Sequence, residues 1–258
     1  MTTGQPGRSP AFPDHFSRDP AAYSRFRPRY PGELFRWIAA LPDRRRRAWD
    51  CGTGSGQAAT PLAEHFALVV GSDGSMGQLR SAERVPHVAY CGAVGEAAPI
   101  RSGTIDLVTV AQALHWLDVP RFLTEVGRVL APGGALAVWS YGIVEVESPI
   151  GETVLRFYSE TVGPCWPMER KLVEEGYRST ALPIDEVATP PFAMEAALTL
   201  EELLGYIRTW SAVGRYLRAH GTDPVEALAA ELGPLWGDRA RARLVRWPLV
   251  VRAGRWRG

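Results

Sequence analysis

Lysine is almost missing from this 258-residue sequence, in which Lys171 is the only one and the other basic residues are arginines. Charge of either sign is not in excess either: 29 basic against 28 acidic residues leave a formal net charge of +1. No global field is therefore available to gather nucleic acid or an anionic membrane surface, and a small-molecule partner fits better. Cysteine is scarce, with Cys51, Cys91 and Cys165 scattered along the chain. None of the short spacings of a metal site or a disulfide framework is present, which points to a reducing cytoplasm and to no metal. Apolar runs stay short of the roughly 20 residues of a membrane span. The opening MTTGQPGRSPAFPDHF lacks a basic region followed by an apolar stretch, so neither export nor membrane insertion is expected. The oligomeric state is unreadable from the sequence.

What is present is an alternation of short apolar strands and helical segments. Strands are expected at 48–50, 68–71, 88–90, 105–110 and 135–139, and helices at 57–66, 76–84 and 120–130. This is βαβ grammar, and it predicts a mostly parallel sheet with helices on both faces. In the last of these helices Phe122, Leu123, Val126, Val129 and Leu130 share one face, and Pro132-Gly133-Gly134 is expected to end it before the next strand. Residues 1–15, rich in Gly, Pro and Ser, are expected to be disordered, and 16–142 to form a core with an N-terminal lid. Aromatic-rich helical segments at 143–185 suggest an inserted cap, with 186–258 completing the core through a helical stretch at 200–216 and a last strand at 246–252.

Strand one leads into Asp50-Cys51-Gly52-Thr53-Gly54-Ser55-Gly56. Glycines at alternate positions let the backbone turn tightly and approach a ligand without Cβ atoms in the way. About twenty residues further on, Asp73 ends the second apolar strand, where a carboxylate accepts hydrogen bonds from ribose hydroxyls; capping the following helix is the competing role. A dinucleotide turn would read G-x-G-x-x-G, and here the third glycine comes one residue early. NAD is therefore the weaker reading.

These residues, together with FRPRYP near the start, VVGSDGSMGQL, DLVTVAQALHW, VLAPGG, VGPCWPMER, TWSAVGRYL and WPLVVRAGR, carry a resemblance that covers nearly the whole chain. The sequence resembles class I methyltransferases that use S-adenosylmethionine and release S-adenosylhomocysteine, in particular the branch like trans-aconitate methyltransferase and related small-molecule enzymes. The resemblance implies a Rossmann-like α/β fold with a mostly parallel seven-stranded sheet and an inserted helical cap. It places Asp50, Cys51, Gly52 and Gly54 at the methionine part of the cofactor, Asp73 at the ribose, and Gly74 at the helix start that frames adenine. Gln78 stands where a Met often packs on adenine. Val94-Gly95-Glu96 stands where such enzymes usually have Asp-Ala-Glu, so Val94 lacks the carboxylate that meets the adenine amino group. Ala111 and Gln112 follow strand four at the ligand-binding edge, and Tyr23 and Arg27 match lid positions that touch the cofactor's carboxylate.

Methyl transfer from a sulfonium is an in-line displacement, and a base is needed only if the acceptor is protonated near neutrality. His115 is the candidate base, with a packing and hydrogen-bonding role as the competing reading. Tyr158, Trp166, Arg170, Tyr177 and Trp210 could wall an apolar substrate pocket with one cation at its edge. The run Arg44 to Arg47 has no interleaved aromatics and reads as a solvated loop. The expected activity is methylation of an O, C or N atom on a small metabolite such as a carboxylic acid. The alternatives are an RNA or protein methyltransferase, or a protein of the same fold that binds the cofactor without transferring methyl.

Overall fold

A computed structural model describes residues 28–258, so the expected disorder of 1–15 and the lid residues Tyr23 and Arg27 lie outside the described residues. In chain order the elements are α1 (Gly32–Ile38), β1 (Arg47–Cys51), α2 (Ala59–Leu62), β2 (Leu68–Asp73), α3 (Met76–Ser81), β3 (Val88–Gly92), β4 (Ile105–Ala111), α4 (Val119–Val129), β5 (Leu130–Tyr141) and β6 (Glu145–Val146). They continue with α5 (Ile150–Arg156), α6 (Arg170–Glu174), β7 (Ile184–Glu186), β8 (Phe192–Leu198), α7 (Leu200–Arg208), α8 (Ser211–His220), α9 (Pro224–Trp236) and β9 (Arg243–Trp256).

Strands β3-β2-β1-β4-β5 run parallel, and antiparallel pairing is confined to β9, which pairs with β5, β6, β7 and β8. Leu249 of β9 faces both Tyr141 of β5 and Phe192 of β8, so those two strands lie on opposite edges of β9. Instead of seven strands, the described residues form nine. They fill seven lateral positions, because β6 follows β5 along one edge of β9 while β7 and β8 share the other. This two-sided pairing explains why β9 is 14 residues long, well beyond the apolar run at 246–252.

Alternation along the strands divides the core between the two faces of the sheet. Leu107, Ala135, Ala137 and Trp139 pack with Leu34, Phe35 and Ile38 of α1, Ala59 and Leu62 of α2, and residues of α7 and α9. Trp49, Val108, Val110, Leu136 and Val138 pack on the opposite face with Phe122, Val126 and Val129 of α4 and with Tyr177. Helix α4 starts where Asp118 accepts a hydrogen bond from the Arg121 amide, with Pro120 in the first turn, where its missing N–H costs nothing. Glu125 is buried on the same helix and accepts from the Ala98 amide and from Arg128, whose guanidinium holds its carboxyl below the usual range.

Four differences from the sequence reading have local causes. Pro132-Gly133-Gly134 falls inside β5, because the register passes from Ile105↔Leu130 to Leu107↔Ala135 and the intervening residues bulge out, with Gly133 at φ 76°. Helix α2 is only 4 residues long, the glycine turn having taken up the start of the expected helix. Strand β8 is built from Phe-Ala-Met-Glu-Ala-Ala-Leu, mostly helix formers, and pairing with β9 overrides that local preference. The stretch expected as one helix at 200–216 is α7 and α8, divided at Thr209 and Trp210, and α9 follows them unanticipated.

In β9, a Cβ on Gly254 would stand 2.1 Å from the Asp185 carbonyl oxygen of the neighbouring strand. Backbone there cannot move aside as a side-chain tip could. Replacing Gly254 with Ala is expected to cost ~2–3 kcal/mol and lower Tm by roughly 4–10 °C in calorimetry, and an unchanged Tm would contradict the packing described.

Candidate active site

The carboxyl ends of β1, β2 and β4 open onto a cavity. Its wall includes Gly52, Gly54, Asp73, Gly74, Gln78, Val94, Gly95, Ala111 and Gln112, so nine of the sequence-derived cofactor candidates converge. Gly52, Gly54 and Gly56 all have positive φ, at 68°, 55° and 88°. A Cβ on Gly52 would lie 2.5 Å from the Ala113 side chain, and one on Gly56 would lie 2.1 Å from the Tyr90 hydroxyl. Conformation and space together require glycine at these two positions.

The Asp73 carboxylate accepts from the Gly54 amide with one oxygen and from the Ser75 amide with the other, both at 2.8 Å. It braces the glycine turn and the entry to α3 while bordering the cavity, and Ser75 is the residue whose side chain caps that helix.

Asp50 and Cys51 are not on the cavity wall. The Asp50 carboxylate is buried behind the turn, accepting from Thr53 at 2.6 Å and from Thr109 of β4 at 2.8 Å. Burial pushes its pKa from 3.8 up to about 6, against the pull of the two threonine hydroxyls. Cys51 is equally buried, and its sulfur would be 2.7 Å from a Cβ on Gly95, so it supports that backbone from beneath. Burial also pushes its thiol well up. The wall contains residues that the sequence did not single out, among them Tyr30, Ser75, Trp116 and Leu117. Trp116 had a signal, being the neighbour of His115, whereas Tyr30 reaches the wall from a distant part of the chain.

A second cavity adjoins the first, and Gln112 and Trp116 line both. His115, Tyr158, Trp166, Arg170 and Trp210 meet around it, with Tyr206, Thr209 and Ser211 completing that side. The ring centroids of Tyr158, Trp166 and Trp210 are 4.9–5.8 Å apart in pairs, forming one aromatic cluster. Packing into this cluster accounts for the break between α7 and α8. The Arg170 guanidinium lies 4.8 Å from the Trp166 ring centroid and donates to the Tyr158 hydroxyl at 3.0 Å. Among the described residues it makes no ion pair. Gln112 sits between the cavities at φ 53°, a costly conformation for a non-glycine residue. Its own amide donates to the Trp139 carbonyl and its side-chain nitrogen donates to the Tyr141 carbonyl, both at 2.9 Å.

Tyr177, expected at the substrate, is not on this wall. It is fully buried at the far side of His115, with its hydroxyl 3.0 Å from His115 Nδ1. Burial and the nearby Arg170 cation push the His115 pKa from 6.5 down to about 3, and burial pushes the Tyr177 phenol up. Near neutrality the pair is an uncharged imidazole against an intact phenol.

Residues 49–138 match the family model described as a methyltransferase domain. A Dictyostelium discoideum protein named as a methyltransferase is 33% identical over 216 residues, covering 82% of each chain. The solved structure of a protein described as a type II methyltransferase from Anaeromyxobacter dehalogenans superposes with a TM-score of 0.84 at 41% identity, covering 89% of this chain and 97% of that one. An uncharacterized methyltransferase of Mycobacterium tuberculosis is 41% identical over 123 residues, 46% of this chain and 49% of that protein.

The chain belongs to the class I S-adenosylmethionine-dependent methyltransferases.

The names of these relatives do not single out the trans-aconitate branch. Among the described residues of the methyltransferase, no group of His, Cys, Asp and Glu could hold a metal ion, and no helix is long and apolar enough to cross a membrane.

Two outcomes follow from this geometry. Asp73→Asn would turn an amide NH2 toward either Gly54 or Ser75, and the affinity for S-adenosylhomocysteine in calorimetric titration is expected to fall about tenfold or more. Equal affinity would show that the turn does not need the carboxylate. His115 also links stability to pH. Between pH 6.5 and about 3 the unfolded chain protonates this ring and the folded chain does not, so its contribution to stability is lost as pH falls. Asp50 acts with the opposite sign between 3.8 and about 6, its contribution being lost as pH rises, so the difference between variants is the readout. On going from pH 7 to pH 4.5, urea denaturation should show the wild type losing more stability than His115→Gln, and equal losses would contradict the assignment.

Proposed function

We propose that this methyltransferase acts in the cytoplasm on a small organic molecule, received in the cavity between His115 and the Tyr158-Trp166-Trp210 cluster. The observation that carries this reading is the shared wall: Gln112 and Trp116 belong both to the glycine-turn cavity and to the aromatic one. The first cavity fits the cofactor. Gly52 and Gly54 bring bare backbone to the methionine end, Asp73 offers acceptors to ribose, and Gly74, Gln78, Val94 and Gly95 lie where adenine would pack. A carboxylate has roughly four lone-pair sites, so bracing the turn and accepting hydroxyls are compatible. Ala111 and Gln112 complete the end nearest the acceptor, and Tyr23 and Arg27 keep the lid role in this proposal. When bound, S-adenosylmethionine supplies a methyl group on a positively charged sulfur, open to in-line attack.

The second cavity combines aromatic rings with a few polar groups and one charged residue, the mixture usual for small-ligand sites. Arg170 places one cation at its edge, which keeps a carboxylic acid among the acceptors and agrees with the trans-aconitate-like resemblance. His115 contacts the acceptor as a neutral ring. An imidazole this hard to protonate accepts a proton poorly, so it serves better to orient an atom that is already nucleophilic, such as a carboxylate oxygen. The cap at 143–185 is completed by α7 and α8, which bring Tyr206, Trp210 and Ser211 to the same wall.

Incubation with methyl-labelled S-adenosylmethionine and a metabolite extract should place the label on a small molecule. Label only on RNA or protein, or no transfer at all, would refute the proposal, the latter favouring a cofactor-binding protein without transferase activity. For the labelled product, Arg170→Ala is expected to raise the acceptor's KM about tenfold with kcat changed less, since a cation at the edge of the cavity binds substrate and transition state alike.

A further inference from the structure

Tyr177 lies outside the acceptor cavity, is fully buried, and meets the cavity-lining His115 with its hydroxyl against Nδ1. Among the described residues, that nitrogen is the one acceptor within hydrogen-bonding distance of the Tyr177 hydroxyl. If Nδ1 carried the imidazole proton, two O–H and N–H donors would face each other, or the phenol would turn away and leave a buried donor without an acceptor. The neutral ring therefore keeps its single proton on Nε2, and Tyr177 donates to Nδ1.

We propose that Tyr177 is a positioning residue that fixes His115 as its Nε2–H tautomer, so that the acceptor cavity meets a hydrogen-bond donor there. The anchoring is elaborate for a residue that only fills space. Tyr177 adopts φ 58° directly after Gly176 at φ 59°. Its amide donates to the Leu172 carbonyl at 2.8 Å, closing the end of α6. From the next strand over, Arg252 of β9 donates to the carbonyls of Tyr177 and Thr180, both at 2.7 Å, and pairs through two hydrogen bonds with Glu186. Arg170 and Tyr177 thus belong to one short segment clamped onto β9, which sets the cavity's cation and the orientation of its imidazole together. The consequence for catalysis rests on the proposed function: a ring that presents N–H can hold a lone pair of the substrate in place and cannot remove its proton through Nε2.

Nitrogen NMR of the ring atoms in uniformly labelled full-length protein tests this without any substrate. His115 is assigned among the five histidines by the signals lost in His115→Gln. At pH 7 its Nδ1 should show the shift of an unprotonated ring nitrogen and its Nε2 that of a protonated one. Tyr177→Phe, which keeps the buried ring, should move both signals toward the average of the two tautomers. A protonated Nδ1 in the wild type, or a tautomer unchanged in Tyr177→Phe, overturns the inference. Failure of methyl transfer to a small molecule would instead remove the proposed function and leave the tautomer pattern as it is.

Discussion

The buried Asp50 carboxylate ties the active end of the sheet together. It sits at the end of β1, accepts from Thr53 inside the glycine turn, and accepts from Thr109 on the adjacent strand β4. Removing a carboxylate from water is unfavourable, as its raised pKa records, and two charge-assisted hydrogen bonds offset part of that cost. In return Thr53 ties the turn to the end of β1. With Thr53 held from below and the Gly54 amide held by Asp73, the glycines keep their left-handed conformations, and the backbone rather than side chains faces the cavity.

The same division between bracing and lining residues recurs around the second cavity. His115, Arg170 and the aromatic cluster line the cavity, while Tyr177, Arg252 and Glu186 stand behind them. Gln112 and Trp116 are the exception, since they face both cavities. The left-handed backbone of Gln112 is held by hydrogen bonds to Trp139 and Tyr141, so β5 determines where this partition stands. A sheet that positions Asp50 and Gln112 through neighbouring strands therefore fixes the relation between the two cavities.

Much of this was legible in the residues. The spacing of Gly52, Gly54 and Asp73 after short apolar runs pointed to residues that line one cavity, and aromatic and basic chemistry picked out Tyr158, Trp166, Arg170 and Trp210, which line the other. The distinction between lining and supporting roles was not legible. Asp50, Cys51 and Tyr177 have the chemistry of site residues, and only burial shows that they act from behind; no sequence pattern announces a tyrosine at positive φ. Strand β8 escaped because Ala, Met and Glu favour helix until an adjacent strand supplies the pairing. The division at Trp210 escaped because it depends on rings brought in from 158 and 166.

The central claim is that the reacting centre lies at the partition formed by Gln112 and Trp116. A crystal structure with S-adenosylhomocysteine, read for the position of its sulfur, tests this most directly. The sulfur is expected against Gln112 and Trp116 with an open path to the His115 cavity. A sulfur separated from that cavity by the body of the sheet or by the glycine turn would contradict it.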